Sequence, residues 1–290
     1  MAESFVMAPW QRRFCEAHKL DAQYVQLLGP VSKWLAEQAK QNSPLCLGIS
    51  GSQGSGKSTL AGYLKAALAQ KGLRVDCVSL DDFYLSQAER AKRADDIHPL
   101  FQTRGVPGTH DTALAVEVLA RFRAQQPLTL PRFDKSMDEP FSSAHWQHCD
   151  SLDVLIFEGW CLGIKELPEQ SLTCPINQLE QEQDPDGRYR HSVNHFLKAD
   201  YQPLFAQLDK LIFLNAGDFS HVARWRLEQE QKLRLSGTQS RRMSEQEVTH
   251  FVQFFQRLTQ WGLKTLPDQC DVELRLSAQR DILAMTGLHN

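Results

Sequence analysis

The feature that most constrains this 290-residue chain is a glycine-rich loop at residues 51–59. It follows the pattern G-x-x-x-x-G-K-S/T, and its members are Gly51, Ser52, Gln53, Gly54, Ser55, Gly56, Lys57, Ser58 and Thr59. Glycine lets the backbone curl around an anion, so that successive N–H groups point inward. The lysine adds positive charge, and the serine hydroxyl that follows can ligate Mg²⁺. The pattern predicts a binding site for the phosphates of a nucleoside triphosphate.

The residues around the loop fit the strand, loop and helix order that this pattern needs. Residues 45–50 (LCLGIS) form a short, mostly apolar run, which is typical of a strand buried on both faces. After the loop, Leu60, Leu64 and Leu68 recur at helical spacing, and Gly72 ends the pattern. A helix that begins here directs its positive dipole end toward a bound phosphate. This context favours a true phosphate loop over a chance match.

Further apolar runs alternate with helical patterns along the rest of the chain. Predicted strands lie at residues 75–80, 153–160, 211–214 and 272–276. Predicted helices lie at about residues 10–41, 111–125, 219–236 and 244–261. Alternating strands and helices build a parallel sheet that is covered on both faces. We therefore predict an α/β fold of the P-loop NTPase class, with a doubly wound, mainly parallel sheet, helices on both faces and lid-like insertions.

Composition limits which cellular compartments and which binding partners are expected for this protein. The net charge is -3, so no general attraction to nucleic acid or to a membrane surface is expected. The 7 cysteines are scattered and include no C-x-x-C pair, which indicates reduced thiols rather than a disulfide framework. No apolar run reaches the length of a transmembrane helix, and the first residues lack the apolar core of a signal peptide. We expect a cytoplasmic protein, and the sequence does not indicate its oligomeric state.

Carboxylates follow two of the predicted strands. Asp81 and Asp82 come directly after residues 75–80, and Glu158 lies near the end of residues 153–160. Ligands of doubly wound sheets bind at the carboxyl ends of the strands. Phosphoryl transfer to an alcohol needs a proton acceptor and a metal ion, so we predict Asp81 as the catalytic base and Glu158 with Ser58 as Mg²⁺ ligands. The alternatives are a turn or helix cap for the aspartates and a buried ion pair for Glu158.

Positive side chains occur in the loops between these strands. Candidates for binding an anionic substrate are Arg104, His110, Lys135, Arg188 and Arg190, with solvated surface charge as the alternative. Three arginines lie on one predicted helix: Arg224, Arg226 and Arg234. We favour Arg226 as a catalytic lid arginine that reaches the transferred phosphate, and pairing with the glutamates of the same helix is the alternative. Asp111 is placed to cap the helix that follows it.

Several longer motifs resemble the D-glycerate 3-kinases of the plant and fungal type. They lie at residues 80–85 (LDDFYL), 104–111 (RGVPGTHD), 133–136 (FDKS), 158–163 (EGWCLG), 175–180 (PINQLE), 193–194 (VN), 225–230 (WRLEQE) and 243–248 (MSEQEV). This family is similar to uridine kinases, phosphoribulokinases and bacterial-type pantothenate kinases. The resemblance runs from about residue 43 to the carboxyl-terminal region, so it is far more specific than the phosphate loop.

The resemblance implies phosphorylation of a small hydroxylated substrate by ATP with Mg²⁺. It carries both the base and a group linked to Mg²⁺ onto Asp81, and it carries the acidic E-G element onto Glu158. It also implies that Arg104, His110 and Asp111 belong to a substrate-side wall. One departure concerns residues 137–141 (MDEPF), where the family has a Gly-rich, Asp-Arg stretch. This stretch is expected to shape the acceptor pocket.

These observations predict one kinase domain over residues 1–290, with a helical extension at 1–42 and a loop-rich insertion at about 160–195. The expected reaction transfers the γ-phosphate of ATP to a hydroxyl of a small anionic metabolite, with D-glycerate as the first candidate and with Lys57, Asp81 and Arg226 as catalytic residues. Two alternatives remain open at this point. The acceptor could be a nucleoside, pantothenate or another sugar acid, or the protein could be a nucleotide-dependent switch or assembly factor.

Overall fold

Ten strands lie in the part of the chain that the structure, a computed structural model, describes, which is residues 5–235 and 243–288. They are β1 (Leu45–Gly51), β2 (Val75–Ser79), β3 (Leu128–Leu130), β4 (Phe133–Asp134), β5 (Glu139–Pro140), β6 (Gln147–Cys149), β7 (Val154–Gly159), β8 (Lys210–Asn215), β9 (Val272–Leu276) and β10 (Ile282–Gly287). Six of them form the central sheet in the order β10-β9-β8-β1-β7-β2. All its neighbours are parallel except β10, which runs antiparallel to β9. The predicted mainly parallel sheet is confirmed.

Ten α-helices surround the sheet in the described residues. They are α1 (Pro9–His18), α2 (Ala22–Gln41), α3 (Lys57–Ala69), α4 (Gln87–Asp96), α5 (Thr112–Arg123), α6 (Gln178–Gln183), α7 (Arg188–Phe196), α8 (Gln202–Phe205), α9 (Phe219–Leu235) and α10 (Glu245–Thr265). None of the helices in the described ranges is both long enough and apolar enough to cross a membrane.

Each strand of the central pair β1 and β7 contributes to two hydrophobic cores. Leu47 and Ile156 belong to the core that contains α2 and α3, while Cys46 and Phe157 belong to the core on the opposite face, with α5 and α10. Side chains alternate between the two faces of a strand, so apolar residues at successive positions mean that both faces are covered. This is the doubly wound arrangement that the alternating pattern predicts.

The amino-terminal region differs from the prediction, because residues 10–41 form two helices and not one. Lys19 follows α1 with φ 55° and ends it. Asp21 then caps α2, since its side chain accepts a hydrogen bond from the N–H of Tyr24 at 3.0 Å. A left-handed residue stops a helix, and an aspartate two positions later begins the next one.

The predicted loop-rich insertion at about residues 160–195 is also more regular than expected, since it contains α6 and most of α7. The acidic stretch within it, residues 178–187, is polar in composition but only partly solvated. Glu180 and Asp184 are buried, and they pair with Arg257 and Arg190. A buried carboxylate is retained only with such a partner, and these partners come from other turns and helices.

Candidate active site

The phosphate loop, residues 51–59, connects the end of β1 to the start of α3. Gly56 precedes α3 with φ +94°, and Gly54 has φ +77°, both in the left-handed region that side chains rarely adopt. A Cβ on Gly54 would lie 2.8 Å from the Cβ of Trp225, whereas a Cβ on Gly56 would meet nothing within 4 Å. Gly56 therefore leaves an open cradle at the amino end of α3, where backbone N–H groups favour an anion.

The polar atoms of the loop fit a bound phosphate chain. Lys57 Nζ donates to the backbone oxygen of Ser52 at 3.0 Å. The buried hydroxyls of Ser52 and Ser55 have no hydrogen-bond partner in the part of the chain that the structure describes. Buried polar groups are normally paired, so these hydroxyls are available to phosphate oxygens. Burial lowers the pKa of Lys57, and the carboxylates of Glu158 and Asp81 oppose that shift.

The loop opens onto a cavity of about 860 Å³. Besides the loop, its lining includes side chains from β7, from the turn after β2, from the β4–β5 hairpin and from α9. We call residues 51–59 with Glu158 the phosphate end of this cavity. We call the following residues its charged end: Asp81, Tyr84, Arg104, Lys135 and Arg226.

Glu158 is brought to the loop by strand pairing. Ile49 of β1 lies opposite Glu158 of β7 in the parallel register, so the ends of the two strands meet. Ser58 Oγ donates to Glu158 Oε1 at 2.7 Å. The described residues contain no group of three or more His, Cys, Asp and Glu side chains that could hold a metal ion by themselves. One hydroxyl and one carboxylate next to a phosphate site suit Mg²⁺, which takes its remaining ligands from phosphates and water.

Asp81 lies at the charged end, in a single 3₁₀ turn, Leu80–Phe83, that follows β2. Its Oδ2 accepts a hydrogen bond from Lys135 Nζ at 2.6 Å, and its Oδ1 accepts one from the Tyr84 hydroxyl at 2.9 Å. Burial raises the pKa of Asp81, but the charge and hydrogen bond of Lys135, with the bond from Tyr84, outweigh burial and hold this pKa at about 2. Asp81 is therefore ionised at neutral pH.

The neighbouring Asp82 has a different role. Its Oδ2 accepts a hydrogen bond from the N–H of Ser79 at 3.0 Å, while the Ser79 side chain accepts from the N–H of Asp81. This reciprocal pair is a capping box, which fixes the start of the 3₁₀ turn. The capping role that was the alternative prediction for both aspartates therefore applies to Asp82. The side chain of Asp81 takes no part in the cap, and it lines the cavity.

Two predicted substrate residues, Arg104 and Lys135, line the cavity, and two others lie outside its lining. His110 is buried; its ring stacks on Tyr84 at 4.5 Å, and its Nδ1 lies 2.5 Å from the Tyr201 hydroxyl. Burial lowers the pKa of His110 to about 3 against the opposing effect of Asp81, so the ring is neutral. A neutral, packed histidine cannot supply the positive charge that the sequence suggested.

Asp111, the second predicted residue outside the lining, is the amino-terminal cap of α5. Its Oδ1 accepts a hydrogen bond from the N–H of Leu114 at 2.9 Å. This capping role was predicted from the sequence. Because the Asp111 carboxylate caps the helix and lies outside the cavity lining, it is not placed in the substrate wall.

Arg226 of α9, the predicted lid arginine, is among the residues that line the cavity. Its guanidinium pairs with Glu230 and lies 5.5 Å from the ring centre of Phe251. The other candidate arginines lie elsewhere: Arg190 is paired with Asp184, Arg224 contacts the backbone of Ala278, and Arg188 lines a separate shallow pocket beside α7. The side chain of Arg234 falls outside the described residues.

Arg280 is a cavity residue that sequence reasoning missed. Its Nε donates to the backbone oxygen of Gly54 at 2.7 Å, and its Nη2 donates to Glu228 at 2.6 Å. The guanidinium lies 5.3 Å from the ring centre of Trp225. Arg280 lies in the turn between β9 and β10, 226 positions from Gly54, and no local pattern could indicate that contact.

No protein-family model matches the chain. An uncharacterised kinase of Schizosaccharomyces pombe is 35% identical over 254 residues, which cover 84% of this chain and 90% of that relative. The chloroplastic D-glycerate 3-kinase of Arabidopsis thaliana is 33% identical over 245 residues, which cover 77% of this chain and 51% of the plant protein. The chain therefore matches about half the length of the plant enzyme.

The fold is also similar to that of a solved kinase structure. The D-glycerate 3-kinase of Cryptococcus neoformans superimposes with a TM-score of 0.71 at 28% identity, over 92% of this chain and 99% of that one. The long motifs and the phosphate loop agree with these similarities. The chain belongs to the family of P-loop kinases that includes D-glycerate 3-kinase, and it is an ATP-dependent phosphotransferase.

Proposed function

We propose that this kinase transfers the γ-phosphate of ATP to a hydroxyl of a small anionic hydroxy acid, with D-glycerate as the first candidate. The observation that carries this proposal is the position of Asp81. Its ionised carboxylate lines the same cavity as the phosphate loop and lies 2.6 Å from the ammonium group of Lys135. A base with a cation beside it suits the hydroxyl of an acceptor that also carries negative charge.

At the phosphate end, the loop amides and Lys57 bind the β- and γ-phosphates. Ser58 and Glu158 are the residues that would hold Mg²⁺, which supplies positive charge between the phosphates when it is bound. The Ser58–Glu158 hydrogen bond of 2.7 Å already places both oxygens together.

At the charged end, Asp81 accepts the proton of the acceptor hydroxyl as that oxygen attacks phosphorus. In contact with Lys135 the Asp81 carboxylate has a pKa of about 2 and is ionised; when Lys135 is separated from it, that lowering effect is lost and the carboxylate becomes a stronger base. The Tyr84 hydrogen bond occupies Oδ1, so Oδ2 is the oxygen that takes the proton once the acceptor separates it from Lys135. Arg226 adds positive charge beside the transferred group.

Arg104 and Lys135 are the residues that we propose bind the carboxylate of the acceptor. Both are cationic cavity residues, and both belong to loops outside the phosphate motif. Support for D-glycerate in particular comes from the named plant and fungal relatives. We also propose that the chain acts as one kinase domain, since both hydrophobic cores pack on one sheet, and that it works in the cytoplasm, where its seven free cysteines would stay reduced.

The test is an acceptor panel at fixed ATP and Mg²⁺, with product identified by mass spectrometry. The panel contains D-glycerate, L-glycerate, pantothenate, uridine and a neutral sugar. We expect D-glycerate to give the highest kcat/KM, by at least about tenfold over the neutral acceptors, since a lost charge-assisted contact costs about that factor. A preference for uridine or the neutral sugar would refute the anionic acceptor and leave the kinase assignment in place.

A further inference from the structure

The β4–β5 hairpin contacts the charged end of the cavity through the residues of its tip. Strands β4 and β5 pair through Phe133 with Pro140 and through Asp134 with Glu139, so residues 135–138 form the tip. Asp134 Oδ1 accepts hydrogen bonds from the N–H groups of Ser136 and Met137, at 2.8 and 3.2 Å. The tip is therefore an ordered turn that can hold a side chain in one place.

Asp138, the last residue of the tip, bridges two arginines. One carboxylate oxygen accepts a hydrogen bond from Arg90 and the other accepts one from Arg104. The Arg90 side chain is 1% exposed, and it also donates to the backbone oxygens of Leu85 at 2.7 Å and Gln102 at 3.2 Å. Arg90 is thus a fixed anchor in the protein interior, and Asp138 is attached to it.

Arg104 depends on Asp138 for its only hydrogen bond among the described residues. Its guanidinium otherwise lies beside two adjacent aromatic rings, 5.9 Å from the ring centre of Tyr84 and 5.5 Å from that of Phe133. Ring contacts permit the guanidinium to slide in their plane, whereas an anchored carboxylate fixes its rotation. One edge of the guanidinium is bound, and its remaining N–H groups are available to a ligand in the cavity.

We propose that Asp138 is a positioning residue that determines acceptor binding: it fixes Arg104 so that the free edge of its guanidinium receives the acceptor's carboxylate. This inference rests on the proposed function for the identity of the acceptor. Asp138 acts through Arg104 and does not itself contact the acceptor. Without this anchor, the Arg104 side chain would become ordered only when the acceptor binds. The conformational entropy lost at that step would weaken acceptor binding.

The kinetic test compares Asp138→Asn with Glu139→Gln, a change of the same kind at the next residue of the hairpin. Asn tolerates the left-handed backbone of Asp138, where φ is 59°, so the hairpin is preserved. We expect Asp138→Asn to raise the KM of the acceptor about tenfold and to change kcat and the KM of ATP by less than about twofold. Glu139→Gln should leave all three values unchanged. An unchanged acceptor KM in Asp138→Asn, or an equal rise in the KM of ATP, would overturn the proposal.

A double-mutant cycle tests whether Asp138 acts through Arg104. In an Arg104→Ala background, Asp138→Asn should add less than about twofold to the acceptor KM, because the residue that it positions is already gone. An undiminished tenfold effect in that background would show that Asp138 acts by another route, and the proposal would fail.

A third measurement does not depend on activity. The rate at which p-hydroxyphenylglyoxal labels Arg104, followed by peptide mass spectrometry without substrates, should rise at least about threefold in Asp138→Asn but not in Glu139→Gln, since a released guanidinium is more accessible. Equal labelling rates would overturn the positioning role even if D-glycerate is the acceptor. Faster labelling in an enzyme that phosphorylates no hydroxy acid would refute the proposed acceptor and leave the placement of Arg104 intact.

Discussion

The two ends of the cavity are built in different ways. The phosphate end comes almost entirely from one stretch of chain, residues 51–59, with Glu158 added by the adjacent strand. The charged end collects side chains from the turn after β2, the loop before α5, the β4–β5 hairpin and α9. Backbone N–H groups and glycine conformations dominate the first, and long charged side chains dominate the second.

This difference in construction is important because the phosphate end is suited to a nucleotide phosphate chain and the charged end to an acceptor. Phosphate chains are alike in all nucleoside triphosphates, so a rigid backbone cradle suffices for them. An acceptor differs from one kinase to the next, and side chains held by ion pairs can be exchanged without rebuilding the sheet. At the charged end, Lys135 contacts Asp81, Arg104 contacts Asp138 and Arg226 contacts Glu230, so every one of these cations has a carboxylate partner.

The largest expected effect belongs to the phosphate end. Lys57→Ala should lower turnover by about 10³-fold, because a charge that acts on the transferring phosphate is lost. The thermal midpoint should stay within about 4 °C of the parent value, since Lys57 contributes one hydrogen bond to the fold. Lys71→Ala, an exposed lysine just after α3, is the control and should change neither quantity. Turnover in Lys57→Ala within a factor of ten of the parent value would contradict the phosphate role.

A smaller effect separates the two adjacent aspartates. Asp81→Asn should lower turnover about 10²-fold with little change in stability, as is usual for loss of a general base. Asp82→Ala should instead lower the free energy of unfolding by about 1 kcal/mol, the usual cost of a lost cap, and change turnover by less than about threefold. The pair is measured by steady-state kinetics and urea unfolding. Opposite outcomes for the two variants would mean that their roles are exchanged.

The smallest expected effect is a shift in pH dependence. Lys135 holds the pKa of Asp81 at about 2, so the base stays ionised until the pH falls to that value. In Lys135→Gln the lowering charge is gone while burial still raises this pKa, so the acid limb of kcat/KM should move upward by about one pH unit or more. Glu139→Gln, on the same hairpin, serves as the control. An acid limb that does not move would show that Lys135 does not control the ionisation of Asp81.

Much of the fold could be predicted because its signals are local. The phosphate loop, the strand before it and the helix after it follow from residue type and spacing within about thirty residues. The capping box of Ser244 and Glu247 at the start of α10 is a local signal of the same kind, since its partners are three residues apart. Strand β10 was not predicted, because it is an exposed edge strand whose alternation of apolar and polar residues is weak.

The charged end could be predicted only in part. Arg104, Lys135 and Arg226 were named among eight cationic candidates, and the structure brings these three to the cavity. His110 and Asp111 belong to the same motif as Arg104, residues 104–111, yet His110 stacks on Tyr84 and Asp111 caps α5. Residue type shows what a side chain can do, but its direction depends on the turn that carries it.

The sequence by itself determined the main parallel strands, the long helices, the phosphate loop and the kinase resemblance, because each is recognised from residue types and spacings within short stretches of chain. The tertiary structure decided which charges face the cavity and which are neutralised. The contacts of Arg280 with Gly54 and of Asp138 with Arg104 join residues 226 and 34 positions apart. Such contacts depend on how separate loops pack at one edge of the sheet, and a linear pattern carries no record of that packing.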